Sequence, residues 1–291
     1  MLTLLLKIHQ IGGLYLMQTT SLSNRMREGE KILVGMVHLL PLPGTLGYGG
    51  DIEAIYARAL ADAEALQRAG VDAMIVENTN DKPDAEMLEP EQLAVLAAAT
   101  RLVVEKVSVP VGVDAAFTDA VAGIAIANAA NAAFIRCPVF VDHMQVTGLG
   151  RVYPRSKELV RYRRLIGAEH IGIWADVQVK HSHQMLDSVS LAESAEVAQA
   201  HGAEVIIVTG ASTGLETPLD TVARVKSAVS CPVIVGSGFN AQNAAQQFSV
   251  ADGAIVGTAM KQGRDTANPI DPQLAEGLMS VVRALKEQAA Q

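Results

Sequence analysis

The 291-residue chain has two cysteines, Cys137 and Cys231, and each stands directly before a proline. One pair in so long a chain is no disulfide framework, and no Cys/His spacing reads as a metal site. A reducing, cytoplasmic setting is therefore expected. Aromatic residues make up only 4% of the chain, with a single tryptophan. The core must then be built from Ala, Val, Ile and Leu, which suits strands buried on both faces. Basic residues are outnumbered, 23 Lys and Arg against 31 Asp and Glu, and the formal net charge is −8. No Lys/Arg-rich run is present, which argues against a nucleic-acid partner. The densest basic stretch, Arg155 to Arg164, reads as the solvated face of a helix. Long apolar runs are missing too. Met1 to Leu16 is interrupted by Lys7, His9 and Gln10, which leaves it too short and too polar to span a bilayer. No small-residue cleavage site follows it, so it does not read as a signal peptide. Residues 1–30 are read as an N-terminal extension, with Met17 an alternative start and the residues before it an upstream extension or an accessory helix. Membrane association is expected to be peripheral at most.

What the chain does have is repetition of short β-rich apolar runs. Eight are present: Ile32–His38, Ala73–Asn78, Val109–Asp114, Ala132–Arg136, Ile171–Val179, Val205–Thr209, Val233–Gly236 and Ala254–Gly257. Ala-rich stretches with helical spacing separate them, such as Ile52, Ile55, Ala59, Ala63 and Leu66, or Leu93, Leu96, Thr100, Val103 and Val104. The last helix is expected over Pro272–Gln288. Alternating strands and helices argue for βαβ units, and eight of each is the count of a (β/α)8 TIM barrel. A single barrel domain over 31–291 is expected. The segments after strands two and four, Thr79–Glu89 and Cys137–Pro154, are long enough to be binding loops or lids.

Strand seven ends in Gly236-Ser237-Gly238 and strand eight in Gly257-Thr258. Glycines there let backbone N–H groups approach an anion, and the loops after strands seven and eight are the usual phosphate position of this fold. Gly236, Ser237, Gly238, Gly257 and Thr258 are therefore the expected phosphate site, with Lys261 one turn further on. The loop from Thr209 to Gly214 reads either as a second polar contact or as a plain turn.

Strand five carries Trp174, Asp176, Gln178 and Lys180 at alternate positions, so all four are expected to face the barrel interior. A carboxylate and an amine on one buried face must be paired or used. Other strand ends carry His38, Glu77 with Asn78, Asp114 and Arg136. This convergence points to an active site. Asp176, Lys180 and Glu77 are the expected catalytic residues. Lys180 would stabilise an anion, form a Schiff base or neutralise Asp176; Asp176 or Glu77 would be the general base if burial raises its pKa. His38, Asn78, Asp114, Arg136, His181 and Thr209 are the expected substrate contacts, with His183 on the face opposite His181. No cofactor is expected. A divalent metal on His38, Glu77 and Asp176 is the alternative, without a metal-ligand spacing to support it.

Three blocks stand out: Gly35-Met36-Val37-His38-Leu39-Leu40-Pro41-Leu42-Pro43-Gly44, Val76-Glu77-Asn78-Thr79-Asn80-Asp81-Lys82-Pro83, and Ala175-Asp176-Val177-Gln178-Val179-Lys180-His181-Ser182. With Val208-Thr209-Gly210, Gly236-Ser237-Gly238 and Asp252–Thr258 they make the chain resemble the BtpA/SgcQ family from about Gly35 to Lys261. The resemblance implies a barrel of the ribulose-phosphate-binding kind. It also implies either an enzyme of nucleosidase-like or sugar chemistry or a factor in photosystem I biogenesis. The chain departs from the family pattern at strand three, where Gly112-Val113-Asp114-Ala115-Ala116-Phe117-Thr118-Asp119 replaces a Gly-Val-Asn-x-Leu-Arg-Asn-Asp segment. The expected function is an enzyme acting on a phosphorylated sugar or nucleoside-like metabolite, by isomerisation or by C–C or C–N cleavage, working as a homo-oligomer. The alternative is a non-catalytic, peripherally bound factor for a membrane complex.

Overall fold

The structure, a computed structural model, describes residues 22–289. Met1 to Leu16 and Met17 lie outside the described residues. Eight β-rich runs become eight parallel strands: β1 (Ile32–His38), β2 (Ala73–Glu77), β3 (Val111–Asp114), β4 (Phe134–Cys137), β7 (Gly172–Asp176), β9 (Val205–Val208), β10 (Val233–Val235) and β11 (Gly253–Val256). They close in that order, with β11 returning to pair with β1. The barrel is a (β/α)8 TIM barrel. Its helices are α1 (Ile52–Ala69), α2 (Pro90–Lys106), α3 (Ala120–Ala130), α4 (Ser156–Leu165), α5 (Leu191–Ala200), α6 (Leu219–Ala228), α7 (Ala244–Val250) and α8 (Pro272–Ala289). Their ends follow local chemistry. Asp51 accepts the Ala54 N–H to start α1, and Gly70 closes that helix in the left-handed region at φ 90°. Ser190 and Glu193 form a reciprocal capping box on α5.

Strand alternation divides the apolar residues into two cores. Leu33, Val37, Val76, Val113, Ile135, Ile173, Ile206 and Val235 face outward and pack with helix residues such as Ile55, Ala59, Ala63 and Leu66. Ile32, Val34, Met36, Ile75, Phe134, Trp174, Ile207, Ile234 and Ile255 fill the inside. Phe134 and Trp174 stack there with ring centroids 3.9 Å apart. Leu22 and Met26, in a helical segment over 22–27, belong to the same inner cluster. This part of the 1–30 segment therefore packs with the barrel. Four residues separate this segment from β1, so the two side chains close the end where the strands begin.

One element was not anticipated. The segments after the fourth and fifth barrel strands pair as a small antiparallel sheet of β5 (Met144–Val146), β6 (Gly150–Val152) and β8 (Ser182–Gln184), with β5 in the middle. Its signal was in the sequence: Met144, Val146 and Val152 are buried while Gln145 and Arg151 are exposed. Gly148 and Gly150, both at φ 87°, make the turn. Strand five is also shorter than its apolar run. Val177 donates the last ladder bond, to Ile207 O, and Gln178 then turns at φ 45° to give its N–H to Asp142. Among the described residues, no helix is long and apolar enough to cross a membrane.

Candidate active site

Period-2 alternation from the strands delivers one residue per strand to the inner top of the barrel: His38, Glu77, Asp114, Arg136, Asp176, Thr209, Gly236 and Gly257. His38, Glu77 and Asp114 are register neighbours on adjacent strands. Above this layer lies a cavity of about 430 Å³, walled by the loops that follow the strands. His38, Glu77, Arg136, Lys180 and His181 reach it, together with Gly236–Phe239 and Gly257–Ala259. Phe117, Val146 and Leu149 give it an apolar side.

The floor is an ionic network. Asp176 is fully buried, and both its oxygens accept from Arg136, at 2.9 Å from Nε and 2.9 Å from Nη2. That bidentate pair withdraws Asp176 from the cavity, so its expected role as a base gives way to holding Arg136. Arg136 Nη1 lies 3.7 Å from Asp114 Oδ2. Asp114 Oδ1 is buried without a hydrogen-bond partner among the described residues. Burial, and the charges of Glu77 and Asp176, push the Asp114 carboxyl well above the usual range against the pull of Arg136.

Glu77 behaves oppositely. Burial would raise its pKa, but the hydrogen bond and charge of His38, with Arg136 and Lys180 nearby, outweigh burial and hold it at about 2. An acid that strong is a poor general base at neutral pH. His38 Nε2 stands 3.2 Å from Glu77 Oε2. Burial lowers the His38 pKa against the pull of that neighbour. His38 Nδ1 is buried with no hydrogen-bond partner among the described residues.

Lys180 reaches the cavity by another route than strand alternation. The strand has ended, and its backbone N–H is held by Thr209 Oγ1 at 2.8 Å. Its ammonium takes no hydrogen bond or ion pair from the described residues. Burial, with Arg136 nearby, lowers its pKa against the pull of Glu77, Asp176 and Asp114. Lys180 is therefore not the counter-ion of Asp176.

Several expected contacts are placed elsewhere. Gln178 turns away from the interior toward α5, where Nε2 meets Ser194 Oγ at 3.3 Å. Asn78 is spent on the backbone and on Asp81: its Oδ1 accepts from Ala116 N and its Nδ2 donates to Asp81, both at 2.8 Å. The neighbouring Asn80, not singled out from the sequence, lines the cavity instead. Thr209 positions Lys180 and is absent from the cavity wall. His181 lines the wall, its Nε2 2.9 Å from Thr213 Oγ1, while His183 pairs with Gln145 in the small sheet. Ser237 Oγ accepts from Gly210 N at 2.8 Å and donates to Leu215 O at 3.2 Å, so its hydroxyl is committed. Lys261 is fully buried against Asp62 and Asn268 O, remote from any phosphate role. With both Asp176 oxygens on Arg136, the His38, Glu77 and Asp176 set does not converge as a metal cluster. No group of three such ligands forms among the described residues. Cys137 is buried, and burial with the charges of Asp114 and Asp176 raises its thiol pKa, so it packs as a small hydrophobe.

The rim after the last two strands keeps its backbone donors free. The N–H groups of Gly238, Phe239, Thr258 and Ala259 have no partner among the described residues. Two glycines are sterically required there. Gly238 sits at φ 72°, and an added Cβ would fall 2.3 Å from Leu215 O. A Cβ on Gly257 would fall 2.9 Å from His38 Cε1. Gly257→Ala is therefore expected to cost about 1–3 kcal/mol by overpacking against a ring that has nowhere to go. An unchanged urea midpoint would contradict this.

The sequence profile of the BtpA family matches residues 29–284. The chain belongs to the BtpA family. This family member is 38% identical over 262 residues to an uncharacterized protein of Pyrococcus abyssi, covering 90% of this chain and 99% of that one. It is 35% identical over 262 residues to the photosystem I biogenesis protein BtpA of Synechocystis, covering 85% and 89% respectively. Among solved structures, it superposes on (S)-3-O-geranylgeranylglyceryl phosphate synthase from Thermoplasma acidophilum in complex with substrate sn-glycerol-1-phosphate. There the TM-score is 0.60 and the identity 18%, with 92% of this chain and 98% of that one covered, a likeness of fold.

The raised Asp114 pKa of this BtpA-family barrel makes a prediction with a definite sign. A carboxyl whose folded pKa lies above its unfolded value stabilises fully only below the unfolded pKa, about 3.9, and loses that contribution as pH rises toward the folded value. Asp114→Asn keeps the shape without the proton demand. The variant is expected to melt higher than wild type at pH 8 and level with it at pH 3.5. Parallel thermal scans check this, and a variant less stable at pH 8 would refute it.

Proposed function

We propose that this protein is an enzyme acting on a phosphorylated small molecule of sugar or nucleoside-like type in a cytoplasmic setting. The phosphate would be held by the free N–H groups of Gly238, Phe239, Thr258 and Ala259, with Lys180 as the working amine. The observation that carries the reading is the Lys180 ammonium, partly buried at a cavity wall with no hydrogen bond or ion pair among the described residues. An unpaired charge at such a position is costly, and functional sites are where that cost is retained. The Thermoplasma synthase, a barrel of the same fold, is in complex with sn-glycerol-1-phosphate, which supports a phosphorylated ligand, and the loops after strands seven and eight are the usual phosphate position of the fold. Isomerisation and C–C or C–N cleavage are all compatible with an amine at this place. The second reading, a non-catalytic biogenesis factor, is favoured by the name of the Synechocystis relative. It gives Lys180 no work to do.

Thermal-shift screening tests the proposal. Phosphorylated sugars and nucleotides are expected to raise Tm, and their unphosphorylated counterparts to leave it unchanged. A ligand at 100 times its Kd adds about 2.7 kcal/mol to the native state. A panel in which phosphorylation makes no difference would overturn the reading.

A further inference from the structure

Glu77 and Lys180 bring opposite charges to one cavity without touching. Glu77 Oε2 is held by His38 at 3.2 Å, while Oε1 has no partner among the described residues. The Lys180 ammonium is equally unengaged, because what fixes Lys180 is its backbone bond to Thr209. Each side chain feels the other's charge, yet they form no ion pair. Both are therefore kept in place by neighbours and not by each other, and both line the same cavity.

The two charges restrict what enters. A carboxylate there would meet ionised Glu77 as a like charge, and an ammonium would meet Lys180 in the same way. A hydroxyl suits either group, since it can donate to Glu77 Oε1 or accept from Lys180 Nζ without a charge of its own. Thr79 and Thr147 line the same cavity, beside Thr213 and Thr266, whose hydroxyls already meet His181 and Asn80. We propose that Glu77 is the specificity-determining residue of this site, selecting a ligand whose second end is an uncharged, hydroxyl-bearing chain and rejecting one that ends in a carboxylate. This rests on the reading that the rim binds phosphate.

The test is calorimetric binding of inorganic phosphate, glycerol 3-phosphate and phosphoglycolate to wild type and to Glu77→Gln. Wild type is expected to bind glycerol 3-phosphate about 10-fold or more tightly than phosphoglycolate. Glu77→Gln, which keeps the side-chain shape and an oxygen for His38, is expected to shrink that ratio to below about threefold while phosphate affinity stays the same. Equal or tighter binding of phosphoglycolate to wild type would overturn the proposal, as would an unchanged ratio in the variant. The wild-type ratio is informative even if the variant does not fold. Loss of all three ligands, inorganic phosphate included, would overturn the phosphate reading and this proposal together. Intact phosphate binding without a preference would overturn the selectivity alone.

Discussion

Lys180→Met is expected to lower kcat/KM by about 10²-fold or more on any phosphorylated compound the protein turns over, with stability within about 1 kcal/mol of wild type. The two halves of this expectation come from one fact. The ammonium has no partner among the described residues, so methionine breaks no bond and retains most of the packing of the stem. Had Lys180 been the counter-ion of Asp176, the same replacement would have left a buried carboxylate alone and cost about 3–5 kcal/mol. Arg136 already fills that place. Steady-state kinetics beside urea denaturation separate the alternatives. Borohydride reduction with a carbonyl-bearing ligand then distinguishes two catalytic versions: an adduct at Lys180 marks covalent attack by a neutral amine, and its absence marks electrostatic work by the ammonium. Full activity in the variant would remove Lys180 from the mechanism.

Arg136→Met should give the largest loss of stability, about 3–5 kcal/mol or more, because a buried pair is broken from one side. The guanidinium makes two bonds to Asp176 and sits between it, Asp114 and Glu77. Removing it leaves three carboxyl groups without their shared cation. The double replacement Arg136→Met with Asp176→Leu is expected to recover part of the loss, since an apolar pair of similar volume often matches a buried ion pair. Urea denaturation of the two single variants and the double variant completes the cycle. Additive losses would mean that Arg136 and Asp176 do not stabilise each other.

Most of the architecture was legible in the sequence because its signals are local. A residue's face on a strand follows from its position two steps from the next, whatever the rest of the chain does. That is why the sequence puts Asp176 on the interior face of its strand and His38, Glu77, Asp114 and Arg136 at strand ends that converge. The same logic failed where a strand ended. Gln178 was assigned to the interior by extending the alternation past Asp176, but the backbone turns there and sends it to α5. Lys180 reached the cavity through the loop and not through register.

What the sequence by itself determined was the barrel, the order of its strands and the ring of polar residues and glycines at one end. These follow from hydrophobic periodicity and from backbone freedom at particular positions. Which of those polar residues pair with each other was decided only by the tertiary structure. Arg136 and Asp176 lie 40 residues apart and meet because adjacent strands and a long side chain bring the guanidinium to the carboxylate. The same closure spends Ser237 on Gly210 and Leu215, buries Lys261 against Asp62, and folds the small sheet over the mouth. Charges and hydroxyls carry no address along the chain. Their partners are set by distances that exist only once the barrel has closed, and the Lys180 ammonium is left over because every carboxylate near it lies out of reach or already has a closer partner.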